Sequence, residues 1–169
     1  MRIDVSQMSK KICDLENRSR RNNIVVDGLK ESAREDNATL LLLNGTHFPG
    51  PFRFRLMRVY CIHRVGSKKD NRERPVILRF YDFTEKLTIL RNAFKLKDSS
   101  ISISEDFSAE VRERRRKLWQ SAKENRVALV FDKLKVGNQL FVWDDRENKR
   151  VQIGQAKRDM AKANSGTTA

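Results

Sequence analysis

Hydrophobic positions along this chain fall in short, separated runs whose period changes from run to run. Val5, Met8, Ile12 and Leu15 occupy the a and d positions of two heptads, with Lys10, Lys11, Asp14 and Glu16 on flanking positions. This spacing predicts a helix over residues 1–22. Two heptads are short for a coiled coil standing alone. The stripe therefore reads either as the end of a coil or as one face of a helix packed on a domain. Ile24-Val25-Val26, β-branched and closed by Asp27-Gly28, predicts a strand and a turn. Residues 36–47 look helical, with Leu40 to Leu43 supplying a buried face, until Gly45 and Pro49-Gly50-Pro51 break the pattern.

Met57 to Val65 is a second β-rich run, followed by a polar loop over 67–74. From Pro75 to Tyr81 the alternation is clear. Val76, Leu78 and Phe80 share one face, and Ile77, Arg79 and Tyr81 the other. Residues 84–97 predict a helix carrying Leu87, Leu90, Ala93, Phe94 and Lys97 at helical spacing. Ile101 and Ile103, alternating with serines, predict a fourth strand. The order β-α-β-β-α-β predicts an α+β domain of ferredoxin-like type over residues 23–104, preceded by the helix of 1–22. A smaller α+β module over 105–150 follows. Ser108 is a plausible N-cap with Glu110 in the first turn, for a helix running to about Asn125. Val127 to Phe131 and Gln139 to Trp143 predict two strands, with Lys135-Val136-Gly137-Asn138 near the turn. Residues 151–169 read as a polar, flexible tail with a weak helix over Gln155 to Ala163.

Charge changes this picture most. Among 169 residues, 36 are Lys or Arg and 22 are Asp or Glu, a net charge of +14 that draws the chain towards polyanions. Nucleic acid and an anionic membrane are the two candidates. No apolar run approaches the roughly 20 residues of a membrane span, and the N-terminus lacks the layout of a secretory signal. Cys13 and Cys61 stand in unrelated contexts, so a disulfide framework is not expected and a reducing compartment fits. Cys61 and His63 are two apart on a strand, His47 is remote, and nothing has the paired spacing of a zinc site. The neighbouring acids Glu105-Asp106 and Asp144-Asp145 point in different directions and make no acid/base pair. Asp106 is better assigned to the dipole of the following helix. With no phosphate loop, nucleophile elbow or dinucleotide fingerprint, the chain is expected to be no enzyme and to need no cofactor or metal.

The helix expected over 109–125 carries the most information. At 100° per residue Val111, Leu118 and Ala122 share a face, with Trp119 at its edge. Arg112, Arg116 and Lys123 form a stripe beside that face. Glu113, Lys117 and Glu124 lie further round, and Arg115 falls within the apolar side. Such a stripe can line a basic groove between two modules, where guanidinium pairs with phosphate bidentately. The bland alternative is a solvated charge run with Arg115 snorkelling over the core; the net charge favours the groove. On the third strand, Ile77, Arg79 and Tyr81 occupy the face that meets bases in an RNA-recognition sheet. Stacking rings are poorly matched there, since Pro75, Ile77 and Val25 stand where they belong. Contacts by Arg and Lys to the phosphate backbone are therefore expected instead. Tyr81 is a possible stacking exception, with strand-end packing as its plainer reading.

In order along the chain, several segments carry a resemblance. They are Leu15-Glu16-Asn17-Arg18-Ser19-Arg20-Arg21-Asn22-Asn23, Ile24-Val25-Val26-Asp27-Gly28 and His63-Arg64-Val65-Gly66. Then come Arg74-Pro75-Val76-Ile77-Leu78-Arg79-Phe80, Ile103-Ser104-Glu105-Asp106-Phe107-Ser108, the Arg114-Arg115-Arg116 helix and Phe131-Asp132-Lys133-Leu134. Together, over about residues 12–145, they resemble the RNA-binding first-open-reading-frame protein of LINE-type (non-LTR) retrotransposons. The resemblance implies a trimerising coiled coil, a noncanonical RNA-recognition fold and a small C-terminal domain. Such proteins coat their own transcript and act as nucleic-acid chaperones. It also implies that Arg74 and Arg79 touch the RNA backbone, that Arg115 and Arg116 are the arginine pair of the C-terminal helix, and that Phe131 is the aromatic before the Lys-Leu step. The chain departs from the pattern in its short coil and in the breakers that shorten the first helix of the recognition fold.

These readings converge on a non-catalytic protein binding single-stranded RNA, with single-stranded DNA as a second ligand, in a cytoplasmic ribonucleoprotein that could also reach the nucleus. The expected nucleic-acid contacts are Arg18, Arg20, Arg21, Arg64, Arg74, Arg79, Tyr81, Arg112, Arg115, Arg116, Lys123, Phe131 and Lys133. Val5, Met8, Ile12 and Leu15 are the expected homo-oligomer contacts, and no membrane partner is expected. The alternative is a protein-interaction module, in which the coil segment and a degenerate recognition fold hold a protein partner.

Overall fold

The computed structural model describes residues 4–32, 35–36, 59–68, 72–123 and 126–155. The helix expected over 36–47, beyond its first residue, and the breaker-rich stretch 44–56 lie outside the described residues. So does the weak helix expected over 155–163, apart from Gln155. The chain is α+β and divides into two compact units, Met1–Phe107 and Ser108–Ala169.

The first unit opens with helix α1, Val5–Ser19, capped by Asp4, whose carboxylate accepts the Ser6 N–H at 3.0 Å. Val5, Met8, Ile12 and Leu15 are all exposed, and no residue of α1 is buried. Among the described residues the apolar stripe therefore packs on nothing, which overturns the reading of it as a face held against the domain. Four strands follow: β1 (Asn23–Asp27), β2 (Val59–Arg64), β3 (Val76–Phe80) and β4 (Ser102–Glu105). They lie in the order β2-β3-β1-β4, every neighbouring pair antiparallel. Val76, Leu78 and Phe80 turn inward as their alternation predicts and meet Ile24, Val26 and Ile62 from β1 and β2.

Helix α2 (Phe83–Asn92) and a 3-10 turn (Ala93–Leu96) connect β3 to β4. Their buried residues differ from the expected set: Ile89 and Leu96 enter the core, whereas Phe94 is 72% exposed. Lys86, Ile89 and Leu96 are three and seven apart and share one helical face, Leu90 packs beside it, and Phe94 falls about 140° round from Ile89. Gly28 has φ +80°, and a Cβ there would lie 1.9 Å from the Ser100 carbonyl oxygen. Only glycine lets the turn after β1 pass so close to that backbone.

In the second unit Ser108 caps helix α3 (Ala109–Ser121), its hydroxyl accepting the Val111 N–H at 3.4 Å. The helix stops short of Asn125 because Ala122 is already extended. Lys123 is consequently not on the helix and does not continue the cationic stripe. Two strands were expected here and four are present: β5 (Val127–Val130), β6 (Lys133–Val136), β7 (Gln139–Asp144) and β8 (Lys149–Gln155), in sequential antiparallel order. Lys133 and Lys135 make β6 look like polar connection. Yet they alternate with Leu134 and Val136, and tight turns at Phe131-Asp132 and Gly137-Asn138 bracket the strand. The boundary expected at residue 150 moves as well, since β8 reaches Gln155 with Val151 paired to Val142. Helix α3 packs on β6, β7 and β8, and Val111, Leu118 and Leu134 form its buried contacts.

Candidate nucleic-acid interface

Several of the expected phosphate-binding arginines are structural instead. Arg64 has a side chain only 3% exposed. Its Nε donates to Glu35 Oε1 at 2.5 Å, and Nη2 donates to Glu35 Oε2 at 2.9 Å. The remaining N–H groups reach the carbonyls of Leu29, Lys30 and Arg74. A guanidinium saturated in this way has nothing left for a phosphate, so its assignment as an RNA contact is corrected. The fork geometry of arginine suits this role, because one planar group ties two backbone segments, 29–30 and 74, to a carboxylate.

Arg74 is paired with Glu31, and the shared hydrogen bond raises the pKa of Arg74 while holding the Glu31 carboxyl below the usual carboxylate range. Arg20 joins Glu16 at 2.7 Å to Asp106 at 2.9 Å. Burial works against its charged form, but the charge of Asp106 and the hydrogen bonds to both acids outweigh burial and raise its pKa. Asp106 also accepts from the Asn23 amide at 2.9 Å. Its observed contacts are thus with the α1–β1 junction, and they account for its burial without a helix dipole. Arg18 lies in an exposed pair with Asp14.

What remains exposed in the first unit gathers at one end of the sheet. Arg79 is exposed on β3, makes no ion pair among the described residues, and sits over the Tyr60 ring at 5.4 Å. Tyr81 is 66% exposed and meets Tyr60, itself 59% exposed, edge to face with ring centroids 5.2 Å apart. Tyr81 thus packs on Tyr60 at the strand end and leaves most of its surface open. Arg21 lies over the Phe83 ring at 4.4 Å, in an open depression also lined by Asn22, Tyr81 and Asp82. In the middle of the same sheet face Val25 stands directly opposite Ile77, whose other neighbour is the exposed His63 of β2.

Tyr60 was absent from the expected contacts, and periodicity would not have found it. With Ile62 inward, simple alternation turns Tyr60 inward too. A bulge between Val59 and Cys61 resets the register, so that Val59 packs against the core and Tyr60 faces out.

In the second unit Arg112, Arg116 and Trp119 fall along one exposed row of α3, and Trp119 is 54% exposed. Arg116 shares two hydrogen bonds with Glu113, at 2.6 and 2.9 Å, which raise the arginine's pKa and lower that of the acid. Arg115 donates to the carbonyl of Phe131 at 2.5 Å. It therefore braces the β5–β6 turn, where Phe131 holds φ +52° and is 44% exposed. A bulky residue in the left-handed region is uncommon, and here it leaves an aromatic ring at a hairpin tip. Lys133 pairs with Asp132 at 3.2 Å. The structure thus gathers Arg79, Tyr81 and Arg21 in one unit; in the other, Arg112 and Arg116 share an exposed row of α3 and Arg115 holds the turn at Phe131. Arg20, Arg64 and Arg74 are drawn into internal ion pairs. No family model matches this chain, and no curated protein is significantly similar to it.

Proposed function

We propose that this protein is a non-catalytic single-stranded nucleic-acid-binding protein, with RNA as its ligand. The observation that carries the proposal is the exposed row Arg112, Arg116 and Trp119 on α3, in a chain with a net charge of +14. Guanidinium groups take up phosphates, and an indole one turn beyond them offers a stacking surface for any base. Exposed tryptophan is costly to leave in water, and a basic setting points to a polyanion that presents rings of its own. Recognition of this kind reads charge and unpaired bases rather than sequence, which suits a protein that coats or anneals strands.

The strand order β2-β3-β1-β4, with α2 crossing between β3 and β4, supports a ferredoxin-like, RNA-recognition-type fold for the first unit. The exposed stripe Val5, Met8, Ile12 and Leu15 supports a homo-oligomer through α1. Both features fit the LINE-type first-open-reading-frame protein that the sequence resembles, and with it a role in a retrotransposon ribonucleoprotein as a nucleic-acid chaperone.

Binding to a labelled single-stranded RNA across a salt series tests the reading. Affinity is expected to fall steeply with salt. In Arg112→Ala/Arg116→Ala the slope should become shallower by about 0.7 for each phosphate that the variant no longer neutralises. No detectable binding at low salt would overturn the proposal in favour of a protein-interaction module.

A further inference from the structure

We infer that Tyr60, Arg79 and Tyr81 form a binding corner for one unpaired nucleobase, displaced from the centre of the sheet face to the end of β2 and β3. The inference rests on the nucleic-acid reading above and adds to it the chemistry that the first unit recognises. The two tyrosine rings are inclined by 84° with centroids 5.2 Å apart. That geometry excludes a parallel slot but makes an L-shaped corner. A base lying flat on one ring brings its edge against the other, which satisfies both the stacking and the edge-to-face preferences of aromatic groups. Arg79 covers part of Tyr60 at 5.4 Å and is exposed. Its guanidinium can therefore hold the phosphate next to the stacked base while keeping its contact with the ring.

Two observations separate this corner from scattered surface aromatics. First, its backbone is fixed from another element. The Asn22 side-chain amide donates to the carbonyls of Phe80 at 3.2 Å and Tyr81 at 3.4 Å, and the Phe80 N–H donates to the Asn22 carbonyl at 3.0 Å. The strand end that carries Tyr81 is thereby tied to the α1–β1 junction, so a ligand meets a ring on a braced backbone. Second, Tyr81 also lines the depression holding Arg21 over Phe83. A strand leaving the corner past Tyr81 meets a second cation and a second ring. Alternating cations and rings match a single strand, which alternates phosphates and bases, better than they match a duplex whose bases are hidden. The centre of the face, with Val25 against Ile77, carries the single imidazole of His63 and no paired rings among the described residues.

The test compares two probes of equal length and charge, a single-stranded oligouridylate and the same ribose-phosphate chain without bases. The full-length protein is expected to bind the base-bearing probe at least about fivefold more tightly. Tyr60→Leu/Tyr81→Leu should cut that preference to the part that Trp119 supplies while leaving affinity for the abasic chain and the salt slope unchanged, and Tyr60→Phe/Tyr81→Phe should retain it in full. Both rings are exposed, so the variants should melt as the parent does. The corner is overturned if the leucine variant keeps the full preference, which would place stacking elsewhere, or if the parent protein binds both probes equally. That last outcome leaves phosphate binding intact. Failure to bind either probe at low salt would instead sink the underlying reading together with the corner.

Discussion

The two units use arginine in opposite ways. In the first, Arg64, Arg74 and Arg20 are drawn into ion pairs with Glu35, Glu31 and Asp106 that fasten loops and the α1–β1 junction to the sheet. In the second, Arg114 likewise joins Glu110 to Asp145 after β7, but among the described residues Arg116 pairs only with Glu113 one turn away on the same helix, in the open. A pair between distant segments constrains the tertiary fold, and once buried it cannot be broken cheaply. A pair within one helix contributes a few tenths of a kcal/mol and can be exchanged for a phosphate oxygen at little cost. Whether an arginine is scaffold or ligand contact is therefore decided by where its carboxylate partner comes from.

The largest expected effect follows from Arg64. Replacing it with alanine leaves Glu35 buried without its partner and three carbonyls without their donor. The expected loss is about 3–5 kcal/mol of first-unit stability, measured by hydrogen exchange of β1 and β3 amides. A loss below about 1 kcal/mol would show that this pair is screened as a surface bridge is, and the contrast between the units would weaken.

Next comes the second unit, which among the described residues buries fewer large side chains: Val111, Leu118 and Leu134, against nine in the first core. Leu134→Ala should cost about 2–5 kcal/mol. Because the protein's only two tryptophans, Trp119 and Trp143, both lie in this unit, their fluorescence during urea unfolding reports on it directly. An unchanged midpoint would mean that the helix–sheet contact contributes less than its burial implies.

The smallest effect sharpens the point about exchangeable pairs. Glu113→Gln removes the acid that a phosphate must displace from Arg116 and one repelling charge. RNA affinity at low salt should rise about two- to fivefold with little change in melting temperature. Weaker binding in this variant would mean that Glu113 positions Arg116 rather than competing for it.

Much of the first sheet was legible beforehand. The alternation Val76, Leu78, Phe80 fixed which face of β3 turns inward, and the β-branched run at Ile24 marked β1, because a period of two leaves a half-buried strand few other options. The second unit was read less well. Lysines on β6 disguised a strand whose inward residues are only Leu134 and Val136, and the polar positions of β8 disguised another. Of the candidate site, Tyr81 and Arg79 were visible as outward positions. Tyr60 was hidden by a bulge, and Phe94 was expected inside although the face that turns inward is that of Lys86, Ile89 and Leu96.

By itself, then, the sequence determined the charge, the α+β composition and the inward face of β3. All of these are local or additive properties, set by residue type and by the spacing of neighbours. Only the tertiary structure decided which cations remain exposed and which rings meet. A guanidinium is spent or spared according to whether a distant carboxylate such as Glu35 folds onto it, and two tyrosines about twenty residues apart become one corner only when a bulge turns the first towards the second. Those are long-range pairings, and no window of sequence contains both partners.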